Sequence, residues 1–466
     1  MRPSDEGISR RQWLGGAAAL AATAMPGWNV VAATDRRPPN IIFIMADDLG
    51  YADIGCYGGR IVPTPHIDAI AAGGVRLTQA YANSCVCSPT RLALLTGRYQ
   101  YRLPLGLEEP LTRAQVGLPS GIASLPGLLA ARGYRTTLVG KWHLGEAPFP
   151  GPLETGYQHF YGIKKGGADY FTHLAYGTPA KGEDGLFDGD VRSGDAGYLT
   201  DLLTDRAVAE VQAAATAGQP LFLSLHYTAP HWPWEGPEDE AVARTLTDIR
   251  HHDGGSLATY AAMLDSLDRG VGRVMDALRQ AGLADDSIVI FTSDNGGERF
   301  SDVWPLIGMK GELLEGGIRV PCLVSWPGRI KAAGTSRQVA ASMDWLPTLL
   351  AAAGAPDGGA GEWDGIDLLP VLTAAEPDIP RTLFWRHKQG EQVAVRHGDW
   401  KYLRRGTREA LFDLSADERE RADRLAVESA ITADLKKRFH EWNGTMLPYT
   451  ETTYSYDAGA YAMDRP

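Results

Sequence analysis

Two short apolar runs of this chain end in paired oxygen donors. Asp47-Asp48 follow Ile41–Ala46, and Asp294-Asn295 follow Ile288–Thr292. Either pair alone fits an ordinary turn or cap, where Asp and Asn side chains bond the nearby backbone. Two such pairs beyond apolar strands fit a hard divalent cation instead. Oxygen donors without a thiolate or histidine cluster favour calcium or magnesium over zinc. Reactive and basic groups stand elsewhere in the chain: Cys87 with Arg91, Lys141 with His143, His231 with Trp232 beside it, and Lys310. A cysteine entering a helix is by itself a small buried hydrophobe, or at most a thiol made acidic by the helix N-terminus. Histidine suits proton transfer because it titrates near neutrality. His226, ahead of His231, reads as a satisfied histidine at a strand end.

These residues need a scaffold, and the hydrophobic pattern supplies one. Ile41–Ala46 reads as a buried central strand. A helix over residues 122–132, stopped by Gly133, leads to a strand through Thr136–Val139, with Lys141 and His143 just beyond. Leu199, Leu203, Ala207 and Val211 line one helical face ahead of Gly218 and the strand Leu221–Leu225. Tyr260, Met263, Leu264, Leu267, Val271, Val274, Met275 and Leu278 form a second stripe, ahead of strand Ile288–Thr292. Such alternation predicts an α/β fold with a large mixed, mostly parallel sheet sandwiched by helices, and a ligand crevice at the strands' C-terminal ends. No G-x-G-x-x-G follows the first strand, and Asp47-Asp48 would repel a pyrophosphate, which excludes a dinucleotide fold. From about residue 380 short strands appear at Arg381–Trp385, Gln392–His397, Trp400–Leu403 and Ala410–Leu414, then a charged helix over Glu418–Trp442. They predict a smaller C-terminal antiparallel sheet with a packed helix, dividing the chain into a catalytic domain, 34–375, and a subdomain, 376–466. The tail carries Tyr449, Tyr454, Tyr456 and Tyr461, so it packs on the body or lines a substrate rim.

The 466 residues are 44% hydrophobic, enough for a large core. A net charge of −12 with no basic block excludes nucleic acid as a partner. An anion can bind only where cations are concentrated locally. Arg10-Arg11, an Ala-rich run from Gly15 to Ala24, and Val31-Ala32-Ala33 resemble a twin-arginine signal peptide over residues 1–33. That predicts passage through the twin-arginine export machinery to a bacterial periplasm or beyond. The run is too short and alanine-rich for stable membrane insertion.

Cys87-Ser88-Pro89-Thr90-Arg91, continued by Leu94-Leu95-Thr96-Gly97-Arg98, resembles the signature of the type I, formylglycine-dependent sulfatases of the alkaline phosphatase superfamily. Thr90 departs mildly from the serine or alanine commoner there. Further matches follow in family order: Asp47-Asp48-Leu49-Gly50, Gly140-Lys141-Trp142-His143-Leu144-Gly145, Ala229-Pro230-His231-Trp232-Pro233, Ser293-Asp294-Asn295-Gly296, and Lys310-Gly311 through Glu315-Gly316-Gly317-Ile318-Arg319. The resemblance implies an arylsulfatase-like sulfate monoester hydrolase of alkaline-phosphatase-like fold. It implies that a sulfatase-maturing enzyme oxidises Cys87 to formylglycine (3-oxoalanine), whose hydrate is the nucleophile and forms a transient sulfated enzyme. It implies one calcium, with magnesium as the alternative, held by Asp47, Asp48, Asp294, Asn295 and residue 87. Arg91 would orient the hydrate, and Lys141 and Lys310 would contact sulfate. His231 would protonate the leaving alcohol with Lys310 assisting, His143 would take the proton of the remaining hydroxyl, and Trp232 would stand at the substrate rim.

The leaving group stays open between aryl sulfates and sulfated sugars. Tyr170, Phe171, His173, Tyr176, Trp234, His251 and His252 could line either kind of cleft. Two rivals remain: a phosphonate monoester or phosphodiester hydrolase of the same superfamily, and a non-catalytic periplasmic protein binding sulfated glycans through an unconverted Cys87. Cys56, Cys85 and Cys322 are left as buried thiols or, for the first two, a bridge.

Overall fold

The first apolar run folds as strand Asn40–Ala46, buried along its whole length. In a computed structural model of the chain it belongs to a ten-stranded sheet. The structure describes residues 37–112, 116–175, 185–245, 254–355, 363–374 and 376–457. The five central strands run parallel in the order Ser287–Ser293, Asn40–Ala46, Leu221–His226, Arg135–Lys141 and His159–Ile163. Cys322–Ser325 and Leu186–Asp188 add antiparallel neighbours on either side, so the sheet is mixed.

Burial on both faces explains the near-continuous apolar runs of the central strands. Ile42 and Ile44 join one core layer with helices Leu199–Ala217 and Leu257–Gln280. Ile41, Phe43 and Met45 join the other, with helices Cys87–Thr96, Leu125–Ala130 and Trp345–Ala352. The helix expected over 122–132 is shorter than its pattern. Ser124 accepts the Gly127 N–H at 3.2 Å and caps it, and Pro126 fits only the first turn.

The C-terminal sheet is antiparallel, with strands Thr382–His387, Gln392–His397, Trp400–Arg405 and Arg408–Asp413. Its helix differs from the expectation of Glu418–Trp442, running only from Ser429 to Asn443. Asp417 Oδ2 accepts the N–H groups of Arg421 and Ala422, both at 2.6 Å. Asp423 Oδ1 accepts those of Leu411 and Leu425 at 3.0 and 2.9 Å. Side-chain acceptors thereby replace the helical ladder before Ser429. All four cysteines are free thiols, so Cys56 and Cys85 form no bridge. The expected signal peptide, Tyr176, His251, His252 and Tyr461 lie outside the described residues. No described helix is long and apolar enough to cross a membrane.

Lys401 ties the small sheet to the body through buried charge. Its Nζ donates to Glu315 Oε1 at 2.9 Å and lies 2.8 Å from Glu420 Oε1. Burial alone would push Glu315 up, yet Lys401 and Arg319 outweigh it and hold the carboxyl at about 2. A folded-state value below the usual 4.5 gives stability that is present above 4.5 and lost as pH falls toward 2. Glu420 is pushed the other way, to about 7, by burial. Lys401→Met leaves Glu420 without its cation and Glu315 with Arg319 alone, and should cost about 3 kcal/mol in urea unfolding at neutral pH. An unchanged midpoint would show that the body and the small sheet are not joined through this contact.

Candidate active site

Sheet register brings the paired donors together. Ala46 lies opposite Ser293, and the Asp294 N–H donates to the Ala46 carbonyl at 3.3 Å. The Asp48 N–H donates to Asp294 Oδ1 at 3.2 Å, and the Leu49 N–H to Ser293 Oγ at 3.0 Å. On the neighbouring side the Asp47 N–H donates to the Ala229 carbonyl at 3.1 Å, which seats the loop carrying His231. Both acidic pairs and that loop therefore share one end of the parallel strands, where the topology rule places a ligand.

Cys87 is the first residue of its helix and is buried. Thr90 locks the entry: its Oγ1 accepts the Ser84 N–H at 3.0 Å and donates to the Ser84 carbonyl at 3.2 Å. Ser88 Oγ accepts the Leu111 N–H at 2.7 Å, a structural bond. One ligand atom from each of Asp47, Asp48, Cys87 and His231 lies within 4.8 Å of the others. Three buried cations surround the three carboxylates. Lys141 Nζ donates to Asp47 Oδ2 at 2.6 Å, Lys310 Nζ to Asp48 Oδ2 at 2.7 Å, and Arg91 grips Asp294 Oδ2 through Nη2 and Nε at 2.7 and 3.0 Å. Asn295 Nδ2 donates to Asp48 Oδ1 at 2.7 Å. Asn295 Oδ1 and Asp47 Oδ1 are buried acceptors with no hydrogen-bond partner among the described residues. Orphaned oxygens beside clustered carboxylates fit a divalent cation.

The electrostatics follow from burial and crowding. Burial, then Asp294, pushes Asp47 up to about 8, against Lys141 and Arg91. Asp294 goes the other way: despite burial, Arg91 and Lys141 hold it below the usual range. Burial drives the Cys87 thiol well up even though Lys141 and Lys310 oppose it, so an unmodified Cys87 is a protonated, poorly nucleophilic thiol.

The histidines differ. His231 Nδ1 donates to the Trp232 carbonyl at 2.5 Å, and its Nε2 is 3.6 Å from Asp48 Oδ2. The Trp232 ring stacks on it, centroids 4.9 Å apart. Burial, then Lys310 and Lys141, holds His231 neutral. His143 Nε2 donates to the Leu111 carbonyl at 2.9 Å, leaving Nδ1 as a bare buried acceptor, and burial with Lys141 also keeps it neutral. His226 sits below the cluster with Nδ1 on the Lys141 carbonyl at 3.4 Å; burial lowers it to about 3. Of the aromatic residues proposed for the rim, Tyr170 is buried with its hydroxyl on the His231 carbonyl, and His173 holds the Gly197 carbonyl, so both are structural.

One residue escaped the sequence reading. Glu298 is 3.8 Å from Lys310 Nζ, and Tyr456 of the C-terminal tail donates to it at 3.0 Å. Its place in the loop just after Asn295 was the available signal.

Comparison with known proteins agrees with this geometry. The sulfatase family model matches residues 39–355. Human (Homo sapiens) arylsulfatase A is 35% identical over 400 residues, covering 78% of this chain and 74% of the relative. Mouse (Mus musculus) N-acetylgalactosamine-6-sulfatase is 30% identical, covering 80% and 73%. The crystal structure of Ps i-CgsB superposes with a TM-score of 0.80 at 30% identity, covering 91% of this chain and 96% of that one; so does its complex with k-i-k-neocarrahexaose. The chain therefore belongs to the sulfatase family and is a sulfuric ester hydrolase of the alkaline phosphatase superfamily.

Proposed function

We propose that this enzyme cleaves sulfate monoesters through Cys87 oxidised to formylglycine, beside a calcium held by Asp47, Asp48, Asp294 and Asn295. The carrying observation is the meeting of Asp47, Asp48, Cys87 and His231 within 4.8 Å, with Lys141 and Lys310 on the same carboxylates. The hydrate of the aldehyde carries two hydroxyls on one carbon: one attacks sulfur and expels the alcohol, and the other collapses to the aldehyde and releases sulfate. A cation held by the four oxygen donors supplies Lewis-acid polarisation of the sulfate and eases deprotonation of the hydrate.

The protein's own residues do the rest. Arg91, pinned on Asp294, keeps a fixed positive charge beneath residue 87. Lys141 and Lys310 supply preorganised charge for the sulfate oxygens in a water-poor site. His231 is assigned to the leaving oxygen. Burial is the larger cause of the histidine's neutrality and the Lys310 and Lys141 charges the smaller. An arriving sulfate ester is an anion, so it offsets the lysine contribution and raises the proton affinity of His231 when the proton is needed. The bare Nδ1 of His143 supports its assignment to the proton of the second hydroxyl. Trp232, stacked on His231, is assigned to the rim.

Aryl sulfates serve as assay substrates in this reading, and a sulfated sugar is the biological one. The likeness to N-acetylgalactosamine-6-sulfatase and to a structure complexed with neocarrahexaose supports the sugar. The twin-arginine reading of residues 1–33 puts the site of action outside the cytoplasm, after maturation of Cys87.

The test is sulfate release from aryl and alkyl sulfates by the parent and by His231→Ala. The variant should lose about 10²- to 10⁴-fold on alkyl sulfates and far less on nitrophenyl sulfate, whose departing oxygen needs little protonation. Equal losses on both would remove His231 from that role. Greater efficiency of the parent on phosphodiesters than on any sulfate ester would displace the sulfatase reading itself.

A further inference from the structure

The C-terminal tail reaches the catalytic cluster. Tyr456 donates its hydroxyl to Glu298 Oε1 at 3.0 Å, and Lys310 Nζ lies 5.9 Å from the centre of the Tyr456 ring. The same ammonium is bonded to Asp48, so one side chain separates Tyr456 from the paired carboxylates. The tail is held firmly on both sides. The Glu109 N–H donates to the Tyr454 carbonyl at 3.1 Å, and the Tyr456 N–H to the Glu109 carbonyl at 2.6 Å. His387 Nε2 donates to the Tyr456 carbonyl at 2.9 Å. Lys388 Nζ donates to the carbonyls of Thr450, Glu451 and Thr453 at 2.9, 3.1 and 2.6 Å. The segment carrying Glu109 also carries Leu111, whose carbonyl orients His143. Strap and catalytic histidine thus rest on one support.

We propose that residues 447–457 form a strap that delivers Tyr456 to the substrate site, where its ring is a specificity-determining contact for the leaving group. This rests on the reading above that Lys310 contacts the sulfate. The hydroxyl is engaged by Glu298, and the half-buried side chain sets its ring 5.9 Å from the Lys310 ammonium. Sulfate needs cations and donors, which the lysines already supply. A flat apolar ring adjoining them suits the ring of an aryl group or the C–H face of a sugar.

Steady-state kinetics on 4-nitrophenyl sulfate, with inorganic sulfate as a competitive inhibitor, test it. Tyr456→Ala should raise KM about 5- to 10-fold, the worth of one aromatic contact, with kcat little changed. The inhibition constant for sulfate should stay put, and Tyr456→Phe, which keeps the ring, should recover most of the lost KM. Lys388→Met loosens the strap away from the site and should raise KM in the same direction; combined with Tyr456→Ala it should add little. Sulfate inhibition weakening in step with KM would mean that Tyr456 acts through Lys310, which overturns the proposal. So would an unmoved KM in Tyr456→Ala, or a parental KM in Lys388→Met. Lys310→Ala separates the two readings: if it keeps full turnover and sulfate inhibition, the role given to Lys310 falls, whatever the Tyr456 variants do.

Discussion

Cys87→Ala is expected to lose sulfatase turnover by at least about 10⁴-fold while unfolding at nearly the parental denaturant concentration. The two halves of that result have separate causes. Cys87 is buried at the first position of its helix, so alanine removes one atom at a site that tolerates a small residue. Chemistry, by contrast, has no substitute at that position. Burial holds the thiol protonated, and a thiolate attack on sulfur would leave an adduct with no easy exit. Cys87→Ser should behave differently from alanine. A serine hydroxyl can attack once but lacks the second hydroxyl that expels sulfate, so a sulfated enzyme should accumulate and show in the intact mass. Parental turnover in either variant would rule out the nucleophile assigned here.

Asp294→Ala is expected to be nearly as damaging, with turnover falling about 10³-fold or more together with metal content. The carboxylate serves two partners. In the proposed reading it would offer an oxygen to the cation site, and its Oδ2 neutralises Arg91 through two hydrogen bonds, with both side chains almost wholly buried. Removing it leaves the buried guanidinium with only the longer ion pair to Asp47 Oδ1 at 3.7 Å, which also costs stability, about 3 kcal/mol. Asp47→Ala likewise removes the carboxylate bonded to Lys141, with a similar loss of metal. Elemental analysis of parent and variants checks both. Stoichiometric zinc in the parent, with neither calcium nor magnesium, would contradict the donor chemistry. A variant with parental metal content would place its residue outside the ligand set.

Much of this site was legible because its residues stand just past buried parallel strands. Ile41–Ala46 and Ile288–Thr292 show as apolar runs, and the polar pairs Asp47-Asp48 and Asp294-Asn295 break the apolar pattern where the strands end. The two long helices were legible from one-sided stripes that pack onto the same face of the sheet. The short outer strands were not: Val75–Leu77 and Leu186–Asp188 hold three residues each, too few to show a period. Residues 418–428 carry helix-forming charge, yet Asp417 and Asp423 capture backbone N–H groups, and Glu420 turns inward to Lys401. Only tertiary contact settles that competition. The contact between Glu298 and Tyr456 was hidden for the same reason, since nothing local in the sequence links a loop after Asn295 with the C-terminal tail. The aromatic crowding of that tail predicted its docking, not its address.

Peptide mass spectrometry across Cys87, paired with specific activity, tests the central claim most directly. The account predicts a peptide lighter than the cysteine form by about 18 Da, from exchange of CH₂–SH for an aldehyde before hydration. Its fraction should rise in proportion to sulfate release across preparations made with and without a sulfatase-maturing enzyme. A preparation with full sulfatase turnover in which residue 87 is entirely cysteine would contradict it.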